Sequence, residues 1–378
     1  MNLSPDIPAA AAPPFESLYV HVPFCRRKCG YCAFYSVPAA AALRRRYLDR
    51  LTAEFAESAE RCSRLRSVFL GGGTPSVLTA REMAELLAAV RSVFTLVRDA
   101  EVTAECNPES LTPAKAEALA AGGVSRVSLG VQSFQARHRR TLQRGGAVAA
   151  VAQAVARLRG CGVRNLGLDL IYGIPGQTVA EWGEDVGRAC DLGVQHLSTY
   201  ALTVEEGTRL AAAGVRPADD DRLLAMWERA ETVAAAGGLR RYEVSNFARP
   251  GRECRHNMDV WHGRTYLGCG PAACSFDGRA RWTQPSDLNR WLRRAPPAVD
   301  VLPADERAAE VLAFGLRTVA GWEPAAFRRR TGYDAWSLRG DALADLARDG
   351  LLTARRGGRL APTARGLLFH DWILRRLL

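Results

Sequence analysis

Short apolar and β-branched runs alternate with longer amphipathic, alanine-rich stretches up to about Leu239 of this chain. The short runs are typical of buried strands, and the longer stretches have a helical period. They predict strands at residues 17–22, 66–70, 100–105, 126–130, 165–171 and 196–202, and helices at 41–61, 80–93, 114–121, 148–159 and 179–192. Such strand–helix repeats form a parallel sheet with right-handed crossovers. The pattern leaves open an incomplete barrel or an open doubly wound sheet.

Polar or glycine-rich residues follow each predicted strand at the point where it ends. A cysteine-rich loop follows the first strand, and Gly-Gly-Gly-Thr-Pro at 71–75 follows the second. The other clusters are Glu105 and Asn107, Gln132 and Ser133, Tyr172-Gly173, and residues 203–206. Parallel α/β folds place their active sites at the carboxyl ends of the strands. The sequence therefore predicts that these clusters form one site.

The alternation stops after Leu239, which indicates a second unit. Residues 242–248 and 265–267 are predicted strands with glycine-rich connections, and the last hundred residues have a helical pattern. A hairpin is predicted at 351–362 before a closing helix, as in a winged-helix module. We expect this module to cap the first domain and not to bind nucleic acid. The predicted division is a disordered tail at 1–16, a sheet domain at 17–245 and a C-terminal domain at 246–378.

Composition is that of an ordinary globular protein, with 48% hydrophobic and 24% charged residues. The first sixteen residues contain no basic residue, so they do not resemble a secretory signal. We expect a cytoplasmic protein whose ten cysteines are reduced. The net charge is +11, but its basic residues are nearly all arginine and are spread over the predicted helices. This favours a solvated basic surface, with anionic ligands such as carboxylates or haem propionates as candidate partners.

The cysteine loop carries the most specific chemistry. Cys25, Cys29 and Cys32 form C-x₃-C-x₂-C, and thiolates suit iron–sulfur clusters or zinc. Three thiolates can hold three corners of a [4Fe–4S] cluster and leave the fourth iron for another ligand. A structural zinc site would need a fourth protein ligand, for which His21 is the near candidate. Tyr31, Phe34 and Tyr35 are expected to give the site a partly dry shell.

The glycine run strengthens the cluster interpretation. Three glycines after a strand lack Cβ atoms, so a ligand could approach the backbone closely. A tight turn is the alternative reading of a lone glycine run. Its position one strand after the cysteine loop favours a shared ligand site.

Several segments together resemble the oxygen-independent coproporphyrinogen III oxidase family of the radical S-adenosylmethionine (SAM) superfamily. They are residues 20–25 (VHVPFC), 71–76 (GGGTPS), 105–108 (ECNP), 128–134 (SLGVQSF), 169–178 (DLIYGIPGQT), 242–247 (YEVSNF) and 315–317 (GLR). The resemblance runs from about Leu18 to near the end of the chain. It implies an α/β fold, a three-quarter (β/α)₆ radical SAM barrel, followed by a mixed, largely helical winged-helix-like domain.

The resemblance also implies the cofactors and the residues that hold them. The free iron would chelate the amino and carboxylate groups of SAM, and one electron would cleave its sulfonium bond to give a 5′-deoxyadenosyl radical. By similarity the cofactor residues are Tyr19, Tyr31, Gly72, Gly73, Thr74, Glu105, Gln132, Arg144, Asp169 and Ala201. Arg144 suits a carboxylate, and the acidic residues suit the amino group and ribose hydroxyls.

The position of Phe34 selects a branch of the family. The decarboxylating enzymes carry a fourth cysteine two residues after the third, where this chain has Phe34. That substitution resembles the HemW branch, whose members look like haem chaperones that deliver haem to acceptor haemoproteins, including respiratory enzymes at the membrane. Residues 255–261 (RHNMDVW) resemble the branch's H-N-x-x-Y-W motif, so His256 is a candidate haem ligand on a partly exposed segment.

Three departures weaken a typical haem site. Val260 stands in place of the motif's tyrosine, while Cys274 and Gly146 stand where relatives commonly have histidine. The leading hypothesis is a haem chaperone, monomeric or dimeric, carrying a [4Fe–4S] cluster and SAM. The alternative is an oxygen-independent coproporphyrinogen III dehydrogenase or another radical enzyme of tetrapyrrole metabolism. A zinc-stabilised RNA-binding protein is a third, different class.

Overall fold

The computed structural model describes residues 14–354 and 357–378. Within them the strands are β1 Phe15–Val22, β2 Phe24–Cys25, β3 Val37–Pro38, β4 Cys62–Gly72, β5 Leu96–Cys106, β6 Arg126–Gln132, β7 Asn165–Tyr172, β8 His196–Ala201, β9 Arg240–Arg241, β10 Asn246–Ala248, β11 Tyr266–Cys269, β12 Cys274–Phe276, β13 Ala280–Thr283, β14 Ala298–Val301, β15 Leu352–Thr353 and β16 Ala361–Pro362. The six strands predicted before residue 239 are β1 and β4 to β8.

The helices are α1 Ala41–Ser58, α2 Ala80–Val93, α3 Pro113–Ala121, α4 Ala136–Thr141, α5 Ala149–Gly160, α6 Val179–Asp191, α7 Arg209–Ala212, α8 Asp220–Ala236, α9 Arg255–Trp261, α10 Leu288–Leu292, α11 Ala304–Gly315, α12 Pro324–Thr331, α13 Ala335–Arg348, α14 Ala364–Leu368 and α15 His370–Leu377. Short 3₁₀ turns cover Ala59–Arg61, Pro75–Val77 and Pro108–Ser110. Capping boxes begin α2 and α6, where a threonine and a glutamate three residues later satisfy each other's backbone N–H. No helix among the described residues has the length and apolar character needed to cross a membrane.

The main sheet has the order β14-β13-β12-β11-β1-β4-β5-β6-β7-β8-β10-β9. Its centre, from β11 through β1 to β8, is parallel, and the strands at both ends are antiparallel. Helices α1, α2, α3, α5 and α6 are the crossovers between successive parallel strands. The α/β class and the parallel sheet are therefore confirmed.

The sheet continues past the predicted division at residue 245. Strand β11 pairs in parallel with β1, from Ser17 opposite Tyr266 to Val20 opposite Cys269, and β12 to β14 extend the same sheet. A separate hydrophobic cluster begins at Ala308 and includes α11 to α13 and α15. Strands of three or four residues with irregular connections give too short a pattern to be assigned to a sheet from sequence.

Both ends of the chain bear on sequence predictions. The predicted tail at 1–16 lies outside the described residues up to residue 13, but Phe15 and Glu16 belong to β1, and Phe15 is buried. The predicted hairpin is present, since β15 and β16 pair antiparallel between α13 and α14. The hairpin and the helices on either side of it have the order predicted for this part of the chain.

Helix α9 closes the amino-terminal end of the parallel strands. The carboxylate of Glu101 on β5 accepts hydrogen bonds from the backbone N–H groups of Arg255, at 2.9 Å, and His256, at 3.4 Å. Arg66 on β4 pairs with Asp259 on the same helix at 3.2 Å. The opposite, carboxyl-terminal end is left for the loops that carry the cysteines and glycines.

Candidate functional site

The three cysteines lie in a loop that leaves the carboxyl end of β1. The pairing of β2 with β3 closes the base of this loop, and Val37 N donates to Pro23 O at 2.7 Å. Cys25, Cys29 and Cys32 are free, partly accessible thiols.

Neighbouring loops contact two of these thiols. Cys25 Sγ lies 3.5 Å from Thr74 Oγ1, which follows the glycine run, and Arg144 Nη1 donates to Cys29 Sγ at 3.5 Å. The loops after β1, β4 and β6 therefore meet at the cysteines, as their positions in the sequence predicted.

The surroundings of the loop fit a cluster better than zinc. The His21 ring is buried, with Nδ1 3.1 Å from Tyr19 Oη and Nε2 3.1 Å from Tyr35 O, so both nitrogens already have partners. Within the described ranges no group of three or more His, Cys, Asp or Glu side chains is arranged to hold a single metal ion. Ligands of one zinc must converge on one atom, whereas ligands of a cubane bind different irons and lie further apart. Three soft thiolates without a fourth protein ligand thus suit a [4Fe–4S] cluster.

The glycine run is required by close packing within the protein. Gly72 has φ +100°, and a Cβ there would lie 2.6 Å from the His21 ring. A Cβ on Gly73 would lie 2.7 Å from Phe24 O, and Gly73 N donates to Val22 O at 2.9 Å. We expected glycine here to let a ligand approach, but the nearest neighbours are the chain segments that lead into the cysteine loop. The run fixes that loop against β4.

Two acidic residues face each other across the interior of the strands. Glu105 on β5 accepts from Gly72 N at 3.2 Å, and Asp169 on β7 accepts from Ser128 Oγ at 2.9 Å. Burial, followed by the nearby Asp169 carboxylate, raises the pKa of Glu105 to about 8, against the smaller opposing effect of the Gly72 N–H. Burial also raises the pKa of Asp169, opposed mainly by hydrogen bonds from Ser198 and Ser128. The pair is well placed to receive a cationic or hydroxyl-bearing ligand.

Gln132 and Arg144 come from the end of β6 and the turn after α4. Gln132 has φ +72° at a bulge in the β6–β7 ladder, which is an uncommon backbone conformation for glutamine. Arg144 Nη2 donates to Asn107 Oδ1 and Gly130 O. The guanidinium is therefore held between the cysteine loop and the acidic pair. Its sequence-predicted place at a carboxylate site is compatible with this position.

The remaining predicted cofactor residues border the same region. Tyr19 contacts the rings of His21 and Phe69, and burial, with a smaller effect of Glu105, raises its pKa. Tyr31 lies against Cys29 and packs on the small apolar cluster around Leu142. Ala201 is the exposed last residue of β8. The structure thus brings Tyr19, Tyr31, Gly72, Gly73, Thr74, Glu105, Gln132, Arg144, Asp169 and Ala201 to one end of the sheet.

Sequence analysis overlooked Tyr200 as a site residue. Its side chain is 43% exposed, and its pKa is raised by desolvation of the hydroxyl and then by the nearby Asp169 charge. The inward alternation of His196, Ser198 and Tyr200 along β8 was the signal that could have identified it. Ser128, which holds Asp169, shows the same inward alternation on β6.

His256 lies below the site, on its amino-terminal side, where its ring is 6.3 Å from the ring of Tyr19. It is 5% exposed, its Nδ1 is 3.0 Å from Ser67 Oγ, and its ring packs on Phe69 at 5.2 Å. Ser67 pairs with Ser17, which precedes the end of β1 by five residues, or about 16 Å of strand. Burial lowers the pKa of His256 to about 4. The segment 255–261 is partly exposed as expected, but the His256 side chain itself is buried, because this face of α9 packs against the strands.

Phe34 also differs from expectation. Its side chain is 70% exposed, so it does not help to dry the cysteine loop as predicted. Tyr31 is closer to the sulfurs and provides part of that shell.

The three departures from the family pattern lie in different environments. Gly146 has φ +85°, and a Cβ there would lie 2.0 Å from the Glu109 side chain, so a histidine would not fit without rearrangement. Cys274 accepts from Tyr266 Oη at 3.7 Å. Val260 is half-buried on α9. Among the described residues, none of the three makes a hydrogen bond, an ion pair or a ring contact with the cysteine loop.

A pH-dependence prediction follows from Glu105. Because its pKa is raised in the folded protein, the folded state holds the proton more tightly than the unfolded state does. Its contribution to the unfolding free energy is therefore complete below about pH 4.5 and is lost as pH rises toward about 8. The unsubstituted protein should therefore lose unfolding free energy between pH 5 and pH 8.5, whereas Glu105→Gln should not. We expect the difference in unfolding free energy between the two proteins to shift by about 1–3 kcal/mol in favour of Glu105→Gln over this range.

Urea unfolding at the two pH values measures this difference, on protein freed of cofactors. Glutamine keeps an oxygen to accept from Gly72 N, so the substitution removes the charge and preserves the contact. Glu60→Gln, at an exposed position, is the matched control and should show no relative change. Equal pH dependence of Glu105→Gln and the unsubstituted protein would show that Glu105 titrates normally.

Comparisons with known proteins agree with this architecture. A model of the Radical SAM superfamily matches residues 19–189, and a model of the HemN C-terminal domain matches residues 302–369. The solved coproporphyrinogen III oxidase (HemN) of Escherichia coli aligns over 97% of this chain and 91% of its own, with TM-score 0.85 and 22% identity. This likeness shows the α/β radical SAM fold.

Sequence relatives define the family more closely. Heme chaperone HemW of Mycobacterium tuberculosis (strain H37Rv) is 36% identical, in an alignment that covers 99% of this chain and 98% of the relative. Heme chaperone HemW of Escherichia coli K12 is 35% identical, with 74% of each chain covered. At this identity and coverage, and with the radical SAM loop in place, the chain belongs to the HemW family of the radical SAM superfamily.

Proposed function

We propose that this protein is a haem chaperone that binds haem as cargo and transfers it to acceptor haemoproteins, and that it carries a [4Fe–4S] cluster and SAM. The observation that carries the proposal is the cysteine loop itself. It keeps three thiols at the carboxyl end of the sheet but has an exposed phenylalanine at the fourth cysteine position of the decarboxylating relatives. Relatives that cover nearly the whole chain are named heme chaperones, which supports the same choice.

The residues of the site suit the [4Fe–4S] cluster and SAM. Cys25, Cys29 and Cys32 would hold three corners of the cluster, and the cluster with SAM would supply one-electron cleavage of the sulfonium bond. Gly72, Gly73 and Thr74 would border the methionine end. Arg144 presents its guanidinium beside Cys29 and would pair with the carboxylate of SAM.

Glu105, Gln132 and Asp169 would hold the amino group and ribose hydroxyls of SAM, with Tyr19, Tyr31 and Ala201 lining the cofactor. A bound ammonium group would favour the ionised form of Glu105, whose pKa is raised without it. SAM binding would thus release a proton from the barrel interior and relieve the buried carboxylate pair. This is the expected behaviour of a site prepared for a cation.

The proposal places the protein in the cytoplasm, as a monomer or dimer, with acceptor haemoproteins that include membrane-bound respiratory enzymes. No nucleic-acid partner is included, because the basic residues are largely paired with acidic ones or spread over helices. His256 is kept as the candidate haem ligand that the family motif suggests. Its ring is buried and contacts Ser67 Oγ, so helix α9 would have to shift for a ring nitrogen to reach a haem iron.

The function is tested by adding haem to anaerobically purified protein and recording the Soret band. We expect a stable complex with a shifted Soret maximum, and transfer of the haem to an apo-haemoprotein acceptor. The same preparation is reduced and incubated with coproporphyrinogen III and SAM, and no vinyl products are expected. Turnover to vinyl products would replace the chaperone proposal with the decarboxylase, and failure to bind haem would refute it.

A further inference from the structure

A cavity of about 430 Å³ lies between α9, α12 and the residues that precede α12, away from the cysteine loop. Its volume is within the range of small-molecule and cofactor sites. Three arginines, Arg264, Arg329 and Arg330, line it together with Met258, Trp322 and Ala326. A basic, partly apolar cavity of this size suits a flat, hydrophobic ligand that carries carboxylates.

The charges around the cavity are unbalanced. Two carboxylates, Asp259 and Glu16, are shared among three guanidinium groups. Asp259 pairs with Arg66 at 3.2 Å and with Arg264 at 3.1 Å. Glu16 lies 3.6 Å from Arg330. Arg264 also pairs with Glu16.

Arg329 is exposed and makes no ion pair with any residue in the described parts of the chain. Four guanidinium groups thus meet two carboxylates, which leaves an excess of two positive charges. A dianionic ligand would neutralise it.

The walls supply the apolar surface. The Trp322 ring is largely buried and packs edge-on against the His262 ring at 4.9 Å, so it is held in place. Both ring nitrogens of His262 contact backbone carbonyls: Nδ1 lies 2.9 Å from Met258 O and Nε2 lies 3.3 Å from Gly321 O. Met258 is an adaptable thioether beside this rigid pair. Such a wall can pack against a planar macrocycle while the arginines stay at the opening.

We infer that this cavity is the haem seat, with Arg329 and Arg330 receiving the two propionates and the macrocycle lying against Met258 and Trp322; the inference rests on the proposed function. It goes beyond that function in placing the cargo at the amino-terminal end of the strands, at the opposite end from the cysteine loop. Asp259 lines the cavity and pairs with Arg66, whose neighbour Ser67 lies opposite Ser17 near the start of β1. The cysteines, in contrast, follow the carboxyl end of β1. Haem in this seat is carried and is not a substrate of the cluster chemistry.

Haem titration of the full-length protein, followed by the Soret band, tests the seat. Arg329→Ala/Arg330→Ala should raise the haem Kd about tenfold or more, since two charge-assisted contacts are lost. Ala326→Trp should also raise it by filling the cavity, without changing its charge. Arg328→Ala/Arg365→Ala removes two exposed arginines that do not line the cavity and should leave the Kd within about twofold.

Iron content is measured on each variant, because the seat predicts that cluster and haem are lost independently. Wild-type haem affinity in both Arg329→Ala/Arg330→Ala and Ala326→Trp, with the unsubstituted protein binding haem, would overturn the seat and leave the chaperone function standing. Absence of haem binding by the unsubstituted protein would overturn both. Weakened haem binding in the two variants with full cluster iron would establish the seat.

Discussion

Cys29→Ser will leave the anaerobically purified protein without its iron–sulfur cluster. Serine offers a hard hydroxyl in place of a thiolate, and three protein ligands leave no substitute for the one removed. Cys29 Sγ also accepts a hydrogen bond from Arg144 Nη1 at 3.5 Å, which the substitution disturbs. We expect loss of essentially all cluster iron, acid-labile sulfide and visible cluster absorption.

Cys161→Ser is the matched control, since Cys161 is a half-buried thiol at the carboxyl end of α5, outside the cysteine loop. It should retain the iron and sulfide of the unsubstituted protein. Haem binding by Cys29→Ser should persist, because the proposed seat is at the other end of the strands. A Cys29→Ser protein with full iron and sulfide would refute the cluster assignment, and zinc in the unsubstituted protein would refute the cofactor proposal as a whole.

Much of the sheet was predictable because its strands alternate between two environments. On β1 the inward positions are Ser17, Tyr19 and His21, and the residues between them are fully buried apolar side chains. The crossover helices also carry their own start signals, as with Thr79 and Glu82 at α2. Polar clusters at the strand ends then predicted one site, and the structure brings those residues together.

Two kinds of feature could not be read from the sequence. Tyr266 pairs with Ser17 across a separation of about 250 residues, and short strands such as β11 give no periodic signal for such a partner. The sequence suggested an accessible His256 and a Phe34 that shields the cysteine loop. In the structure the histidine is buried and the phenylalanine is 70% exposed. Exposure of a single residue depends on what the rest of the chain packs against it. Local pattern does not contain that information.

The reason for glycine at residue 73 is likewise visible only in three dimensions. Its hydrogen-bonded backbone lies against the segment that leads into the cysteine loop, and a Cβ would lie 2.7 Å from Phe24 O, 2.9 Å from Phe24 N and 2.9 Å from Val22 O. These are backbone atoms, so no side chain can rotate away to make room. An added methyl group must separate the loop after β4 from the end of β1.

We therefore expect Gly73→Ala to lower the unfolding free energy by about 1–3 kcal/mol, the usual cost of overpacking a rigid site. It should also reduce the cluster iron, because displacement of the loop disturbs the contact between Thr74 and Cys25. Gly160→Ala, at the exposed last residue of α5, introduces the same methyl group where no atom lies within 4 Å and should be neutral or slightly stabilising. Thermal unfolding and iron content of the two variants measure the difference. Equal behaviour of Gly73→Ala and Gly160→Ala would show that the glycine run is not needed to place the cysteine loop, and that its role is toward the cofactor instead.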